Sequence, residues 1–378
     1  MSRILSVFQS RLLSARRIVI KVGSSLLVDG KRNEVRRPWL GGLIEDICAC
    51  RDRGQEVAVV SSGAISLGRR VLKLVSGPLE LEQRQAAAAC GQIRMAHTWQ
   101  EELARKDVTA AQVLLTPDDT EERSRYLNSR AAIRGLLSMG IVPIINENDT
   151  VTTPAHRYGD NDRLSARVAT MIEADCLVLL SDIDGLYTAD PTIDPGAQLI
   201  PEVRSLTPDI LAMAGDSRSG FGTGGMRTKI EAARIALRGG CAMAIARGNL
   251  VNPLQALEKP GRYTWFIPDD SPVTARKKWI GGSLNPRGSL TIDDGAVRAL
   301  DQGKSLLPVG IRAVTGEFSR GDSVTVLSPG RTELARGLVA YDSTEVRKIM
   351  GRQSDAVEAI LGYRGREEII HRDDLVLL

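Results

Sequence analysis

Cysteine is sparse in this chain: five residues among 378, at positions 48, 50, 90, 176 and 241. None stands in Cys-x-x-Cys spacing, which argues against a disulfide scaffold or a cysteine-based zinc or redox motif and leaves reduced, mostly buried thiols. Histidine is scarcer still, and His97, His156 and His371 are too scattered to hold a metal, so no metal ligands are assigned. No apolar run approaches the roughly 18 residues that a membrane span needs. Residues 1–17 carry Arg3, Arg11, Arg16 and Arg17 and no acid, but they lack the continuous apolar core and cleavage site of a signal peptide. A cytoplasmic protein with no membrane partner is expected, its residues 1–16 forming an extension. Charge of one sign is lacking too. The net +4 resolves into 30 basic against 32 acidic residues over 18–274 and 16 against 14 over 275–378. Neither region has the basic excess that by itself argues for nucleic-acid binding.

The chain does contain strand–helix alternation. Apolar runs at Arg17–Val22, Glu56–Ser61, Ala111–Leu115, Ile141–Asn146, Cys176–Ser181 and Ala242–Ala246 read as strands, several of them aliphatic throughout, as strands buried on both faces require. Helical stretches lie near 37–53, 64–75, 82–105, 124–139, 161–174 and 226–238. The expected fold class is α/β with a mainly parallel sheet covered by helices on both sides. Composition shifts where Pro253, Pro260, Gly261, Pro268 and Pro272 punctuate the chain. Beyond them lie short strand-like runs at Ser289–Ile292, Leu306–Val309, Val324–Leu327 and Glu333–Leu338, with helices over Asp293–Asp301 and Ser343–Ile349. The expected division is a large α/β domain over 17–265, a linker over 266–278 and a small β-rich domain over 279–378.

The stretch Gly222-Thr223-Gly224-Gly225-Met226-Arg227-Thr228-Lys229 is the sharpest motif. Its glycines let backbone N–H groups approach a phosphate, and it empties into an alanine-rich helix whose N-terminus favours anions. Lys229 would add a positive charge in the first helical turn. A glycine linker capped by Thr223 or Thr228 is the plainer alternative. The Walker spacing is absent, and the nominal dinucleotide fingerprint at 220–225 follows a loop rather than a strand.

Polar clusters also follow the strands, where open α/β sheets bind ligands: Lys21-Val22-Gly23-Ser24-Ser25, Ser61-Ser62-Gly63, Asn146-Glu147-Asn148-Asp149, Gly159-Asp160-Asn161-Asp162 and Ser181-Asp182-Ile183-Asp184. Singly, Ser62 or Asp160 reads as a helix cap and Lys21 as a surface lysine. Together, two lysines, carboxylates, amides and backbone donors suit phosphoryl transfer. Both lysines are expected at solvent-accessible strand or loop ends. No serine–histidine pair or activated cysteine offers a nucleophile.

These motifs, with Asp184-Gly185-Leu186-Tyr187-Thr188-Ala189-Asp190-Pro191, resemble the amino-acid kinase superfamily and, within it, the glutamate 5-kinases. The tail, through Trp279-Ile280, Leu306-Leu307-Pro308-Val309-Gly310-Ile311, Phe318-Ser319-Arg320-Gly321-Asp322 and His371-Arg372-Asp373-Asp374, resembles a PUA domain. The resemblance implies a three-layer αβα sandwich with a PUA-like appendage. It further implies phosphorylation of the L-glutamate side chain by ATP with Mg²⁺, the first step toward proline, inhibited by proline. Lys21, Asp162 and Lys229 match catalytic positions, Asp162 orienting the two lysines. Ser62, Asp149 and Asn161 match glutamate-binding positions. Lys21, Ser181, Asp182 and the loop Thr223, Gly224, Gly225, Met226, Arg227, Thr228 and Lys229 match nucleotide-binding positions. The loop Thr150–Tyr158, with His156, is a candidate for proline control, and a homo-oligomer is expected.

Two other readings stay open. One is a superfamily kinase acting on aspartate, N-acetylglutamate, carbamate or a nucleotide. The other is an RNA-binding protein with a degenerate kinase domain, since PUA modules bind RNA in modification enzymes.

Overall fold

A computed structural model describes residues 11–75, 77–153, 156–214, 225–281 and 286–378. The chain divides into two compact units, Met1–Glu121 with Asn128–Pro272, and Glu122–Leu127 with Val273–Leu378.

The first unit is built on eight strands: β1 (Arg17–Val22), β2 (Glu56–Ser61), β3 (Ala110–Leu115), β4 (Val142–Glu147), β5 (Cys176–Ser181), β6 (Glu202–Val203), β7 (Ala242–Arg247) and β8 (Tyr263–Phe266). They lie in the order β6-β8-β7-β5-β1-β2-β4-β3. All pairings are parallel except β7 with β8. Register aligns Val22 with both Ser61 and Leu180, and Ser181 with Arg247, so the carboxyl ends of the central strands share one edge.

Both faces of this sheet are covered. Ile18, Ile20, Val22, Val57, Val59, Val178 and Leu180 pack in one cluster with Leu40, Leu43, Ile44 and Ile47 of helix α1 (Arg37–Asp52). Met95 and Trp99 of helix α3 (Leu81–Ala104) join them, while helix α2 (Ala64–Val71) supplies Ala64 and Leu67. The alternate residues Val19, Leu177, Leu179, Met243 and Ile245 are equally buried. Helix α4 spans Arg123–Ser138; α5 (Asn161–Met171) and α6 (Met226–Arg238) pack on each other. The aliphatic runs thus form strands because both of their faces meet helices.

Two local devices shape the site edge. After β2 the backbone turns at Gly63, whose φ of 118° lies in the left-handed region that glycine alone enters without strain. Helices α2 and α3 then cross at bare backbone. A Cβ on Gly68 would sit 1.7 Å from the Ala87 carbonyl oxygen, and one on Gly91 1.7 Å from that of Ala64.

The second unit holds a five-stranded sheet, β9 (Gly288–Ile292), β10 (Ile311–Gly316), β11 (Ser323–Leu327), β12 (Glu333–Leu338) and β13 (Leu375–Leu377), ordered β10-β9-β11-β12-β13. Helices α7 (Pro272–Gly281), α8 (Asp294–Asp301) and α9 (Ser343–Ile349) accompany it. Leu290, Ile292, Val324, Val326, Tyr341, Val346 and Ile349 form its own core.

Three expectations change. The stretch 266–278, expected as a linker, holds the end of β8 and most of α7, which Pro272 opens. The run Leu306–Val309 is no strand: Leu306 makes one isolated bridge to Ile370, and Pro308, lacking an N–H, starts a 3-10 turn before β10. Strands β6, β8, β10 and β13 had no counterpart among the expected elements. Of the expected N-terminal extension, 11–14 is helical with Leu12 fully buried, and 1–10 lies outside the described residues.

Candidate active site

Lys21 sits one residue from the end of β1, on the face opposite Ile20 and Val22. Its Nζ reaches Asp162 Oδ1 at 2.6 Å. Asp162 lies in the first turn of α5, which Asp160 caps by accepting the N–H of Arg163 at 3.0 Å. Its other oxygen, Oδ2, takes Lys229 Nζ at 3.1 Å and the Thr228 hydroxyl at 2.9 Å, both from the first turn of α6. Asp162 is 1% exposed. Burial alone pushes its carboxyl up; the Lys21 and Lys229 ammoniums outweigh that and hold it well below the usual carboxylate range. Two strand- and helix-borne cations are thereby fixed by one anion, beside the N-termini of two helices.

Lys229 departs from expectation. It is 4% exposed rather than solvent-accessible, because α6 packs against α5 and turns the side chain onto Asp162. The side chain of Lys21 is only a little more open.

Asn161, adjacent to Asp162, opens a second cluster. Its Nδ2 donates to Ser62 Oγ at 2.7 Å and to Asn146 Oδ1 at 2.9 Å. Asn146 Nδ2 in turn donates to Gln92 Oε1 at 2.9 Å. Strand β4, helices α3 and α5 and the turn just after β2 thus converge at the strand ends. Asp149, just beyond β4, faces the Arg84 guanidinium at 3.8 Å. Burial raises the Asp149 carboxyl, with Arg84 and Arg157 opposing it. Glu147 is raised by burial as well, against the N–H of Tyr158, which it accepts at 2.8 Å.

The structure therefore brings Lys21, Asp162, Thr228 and Lys229 into one cluster and Ser62 and Asn161 into its neighbour, with Asp149 on the loop after β4. Ser181 ends β5, and its hydroxyl donates to Asp182 Oδ1, just beyond the strand, at 2.9 Å. Gly225 caps α6 in extended conformation, followed by Met226 and Arg227; Arg227 pairs with Glu231 at 3.5 Å. Thr223 and Gly224 lie outside the described residues. His156 bonds to Asp118 at 2.7 Å, and the Tyr158 hydroxyl donates to the Thr116 carbonyl at 2.8 Å, tying down the end of the loop 150–158. Among the described residues no group of three His, Cys, Asp or Glu side chains could cage a metal ion.

Sequence reasoning did not single out Gln92 or Arg84, and it took in Tyr158 only as the end of the loop Thr150–Tyr158. For Gln92 a signal existed: it is the one amide on the buried face of α3, among Ala87, Ala88, Gly91, Met95 and Trp99, with the polar Thr98 and Glu102 nearer the helix end. Arg84 and Tyr158 carry no comparable mark.

Comparison with known proteins adds to this geometry. The model of the amino acid kinase family matches residues 16–247, and that of the PUA domain matches residues 288–361. The glutamate 5-kinase of Paramagnetospirillum magneticum is 60% identical over 97% of this chain and 99% of its own length. The glutamate 5-kinase of Rhizobium rhizogenes is 58% identical over 96% of this chain and 93% of its own. That of Bradyrhizobium sp. is 60% identical over 97% of both.

Proposed function

The chain belongs to the amino acid kinase family, and from that premise we propose that it transfers the γ-phosphoryl group of ATP to the side-chain carboxylate of L-glutamate. The observation that carries this reading is the Lys21–Asp162–Lys229 triad set one residue from the Asn161–Ser62 pair.

The chemistry follows from charge. A glutamate side chain ionises near pH 4.3, so the attacking carboxylate needs no general base. The obstacle is repulsion between that carboxylate and the triphosphate. Lys21 and Lys229 supply fixed positive charge where negative charge moves during transfer, and Asp162 preorganises them so that little rearrangement accompanies the reaction. The first-turn N–H groups of α6 face the same region and favour phosphate oxygens. Mg²⁺ would arrive on the nucleotide, which provides oxygens of its own, and would neutralise further charge there. Ser181, Asp182 and the loop through Thr228 are the nucleotide side of this reading. Ser62, Asn161 and Asp149 are the amino-acid side, with Asp149 the partner of the substrate ammonium. Proline, sharing that ammonium and α-carboxylate, would compete there, beside the loop Thr150–Tyr158.

The test is ATP-dependent acyl-phosphate formation, trapped with hydroxylamine, across glutamate, aspartate and N-acetylglutamate. Hydroxamate from glutamate alone, suppressed by added proline, is the expected outcome. Product from aspartate or N-acetylglutamate and none from glutamate would overturn the substrate assignment.

A further inference from the structure

We propose that Gln92 is a positioning residue for the amino-acid subsite. It anchors a buried amide relay, Gln92–Asn146–Asn161–Ser62, that fixes which hydrogen-bonding groups Asn161 and Ser62 present to the substrate. The inference rests on the glutamate reading above and extends it to a residue that touches neither substrate nor lysines.

Gln92 is 7% exposed on α3, next to Gly91, where α3 presses onto α2. Placing an amide there costs free energy unless its polar atoms are used. One of them is: Oε1 accepts from Asn146 Nδ2 at 2.9 Å. That bond fixes the orientation of the Asn146 amide and turns its oxygen toward α5, where it accepts from Asn161 Nδ2 at 2.9 Å. The same nitrogen donates to Ser62 Oγ at 2.7 Å.

An amide nitrogen has two hydrogens, and Asn161 spends both on these bonds. What it has left is its oxygen, an acceptor suited to an ammonium. Ser62 Oγ already accepts a bond, so its hydroxyl hydrogen remains to donate to a carboxylate oxygen. Beside Asp149, this pair therefore adds one acceptor for the ammonium and one donor for a carboxylate, the complement of a zwitterionic amino acid. Without the Gln92 oxygen, Asn146 can turn over, Asn161 can follow, and the pattern reverses to an amine facing an ammonium. Gln92 Nε2 itself is buried without a partner among the described residues, so the relay depends on the oxygen end alone.

That asymmetry sets the experiment. KM for glutamate, KM for ATP and kcat are measured for Gln92→Met and Gln92→Glu in the full chain. Gln92→Met should raise the glutamate KM about tenfold, the order expected for one buried hydrogen bond. Its ATP KM and kcat should stay within about twofold of the unsubstituted protein. Gln92→Glu keeps an oxygen facing Asn146 and should rescue the glutamate KM to within about threefold. In a Ser62→Ala background, Gln92→Met should add less than about twofold, because the relay's far end is already gone. Should Gln92→Met fail to fold, Gln92→Asn, one methylene too short to reach Asn146, carries the same expectation. The relay is overturned by a glutamate KM that Gln92→Met leaves unchanged, by equal rises in both KM values, by Gln92→Glu proving as damaging as Gln92→Met, or by full additivity with Ser62→Ala. Hydroxamate formation by the unsubstituted protein, scored first, separates failure of the glutamate reading from failure of the relay.

Discussion

Asp162 meets Lys21 on one oxygen and Lys229 with Thr228 on the other, so each substitution here changes both the charge and the aim of what remains. Lys229→Ala removes one preorganised cation and leaves Asp162 held by Lys21 and Thr228. Turnover should fall by about two to three orders of magnitude, the usual cost of losing one donor aimed at developing charge, with circular dichroism unchanged. Asp162→Asn should cost as much by freeing both lysines, and should also lower the melting temperature, since two buried ammoniums then lose their counter-charge. Near-normal turnover of Lys229→Ala would remove the triad from the mechanism. The depressed Asp162 carboxyl implies a sign as well. Its contribution to stability is present above the unfolded-state pKa of about 3.9 and is lost only as pH falls toward the lower folded-state value. Much at this scale was legible: Lys21, Asp162 and Lys229 stand in motifs at strand and helix ends. The burial of Lys229 was not, because it depends on α6 packing against α5. Nor was the use of Gln92: an amide on a core-facing helix stands out, but that it meets Asn146 depends on how α3 packs beside β4.

Among the elements, α1 and the segment after β7 show how burial can set a pH dependence. Asp46 of α1 accepts the N–H of Leu254 at 2.7 Å and so caps the short helix Pro253–Leu257 from a distant part of the chain. Trp39 Nε1 donates to the Gly248 carbonyl at 2.6 Å, and a Cβ on Gly42 would meet the Val251 carbonyl at 2.0 Å, so three points of α1 pin this segment. Burial raises the Asp46 carboxyl to about 6, the Leu254 and Gln255 N–H groups only partly opposing it. The folded state therefore holds a proton that the unfolded chain has lost above pH 3.9. Stability should fall as pH rises from about 4 to about 6, by up to about 3 kcal/mol. Asp46→Asn keeps an acceptor without the charge. It should raise the urea midpoint at pH 7.5 and flatten the difference between pH 4 and 6; a variant no more stable than its parent at pH 7.5 would remove the ionisation penalty. The elements themselves were largely readable, because aliphatic runs buried on both faces leave no other assignment. The strand β8 was not, lying as it does among prolines and taking its order from pairing with β7 and β6. The crossing at Gly68 and Gly91 was equally hidden, since a glycine inside a helix does not announce which backbone it touches.

For the whole molecule, the relevant fact is that the two units have separate cores and that the residues of the proposed site all belong to the first. The second unit contains a buried ion pair of its own: Arg276 of α7 donates to Asp374 Oδ1 from Nη2 at 2.6 Å and from Nε at 3.1 Å. Breaking such a pair by removing one partner costs about 3 kcal/mol, since a desolvated guanidinium loses a carboxylate that faces it. Leu375, the neighbour of Asp374, belongs to the core around Leu290, Val324 and Ile349, which shares no residue with the core of β1, β2 and β5. Asp374→Ala should consequently shift one calorimetric transition to lower temperature while a second stays in place. At room temperature, hydroxamate formation from glutamate should stay within about twofold of the unsubstituted protein, because Lys21, Asp162, Lys229, Asn161 and Ser62 keep every partner described above. The alternative outcome is a single transition that moves as a whole, with activity falling in step. Unfolding would then be cooperative across the chain, and the kinase unit would depend on the PUA-domain unit for its stability as well as being joined to it in sequence.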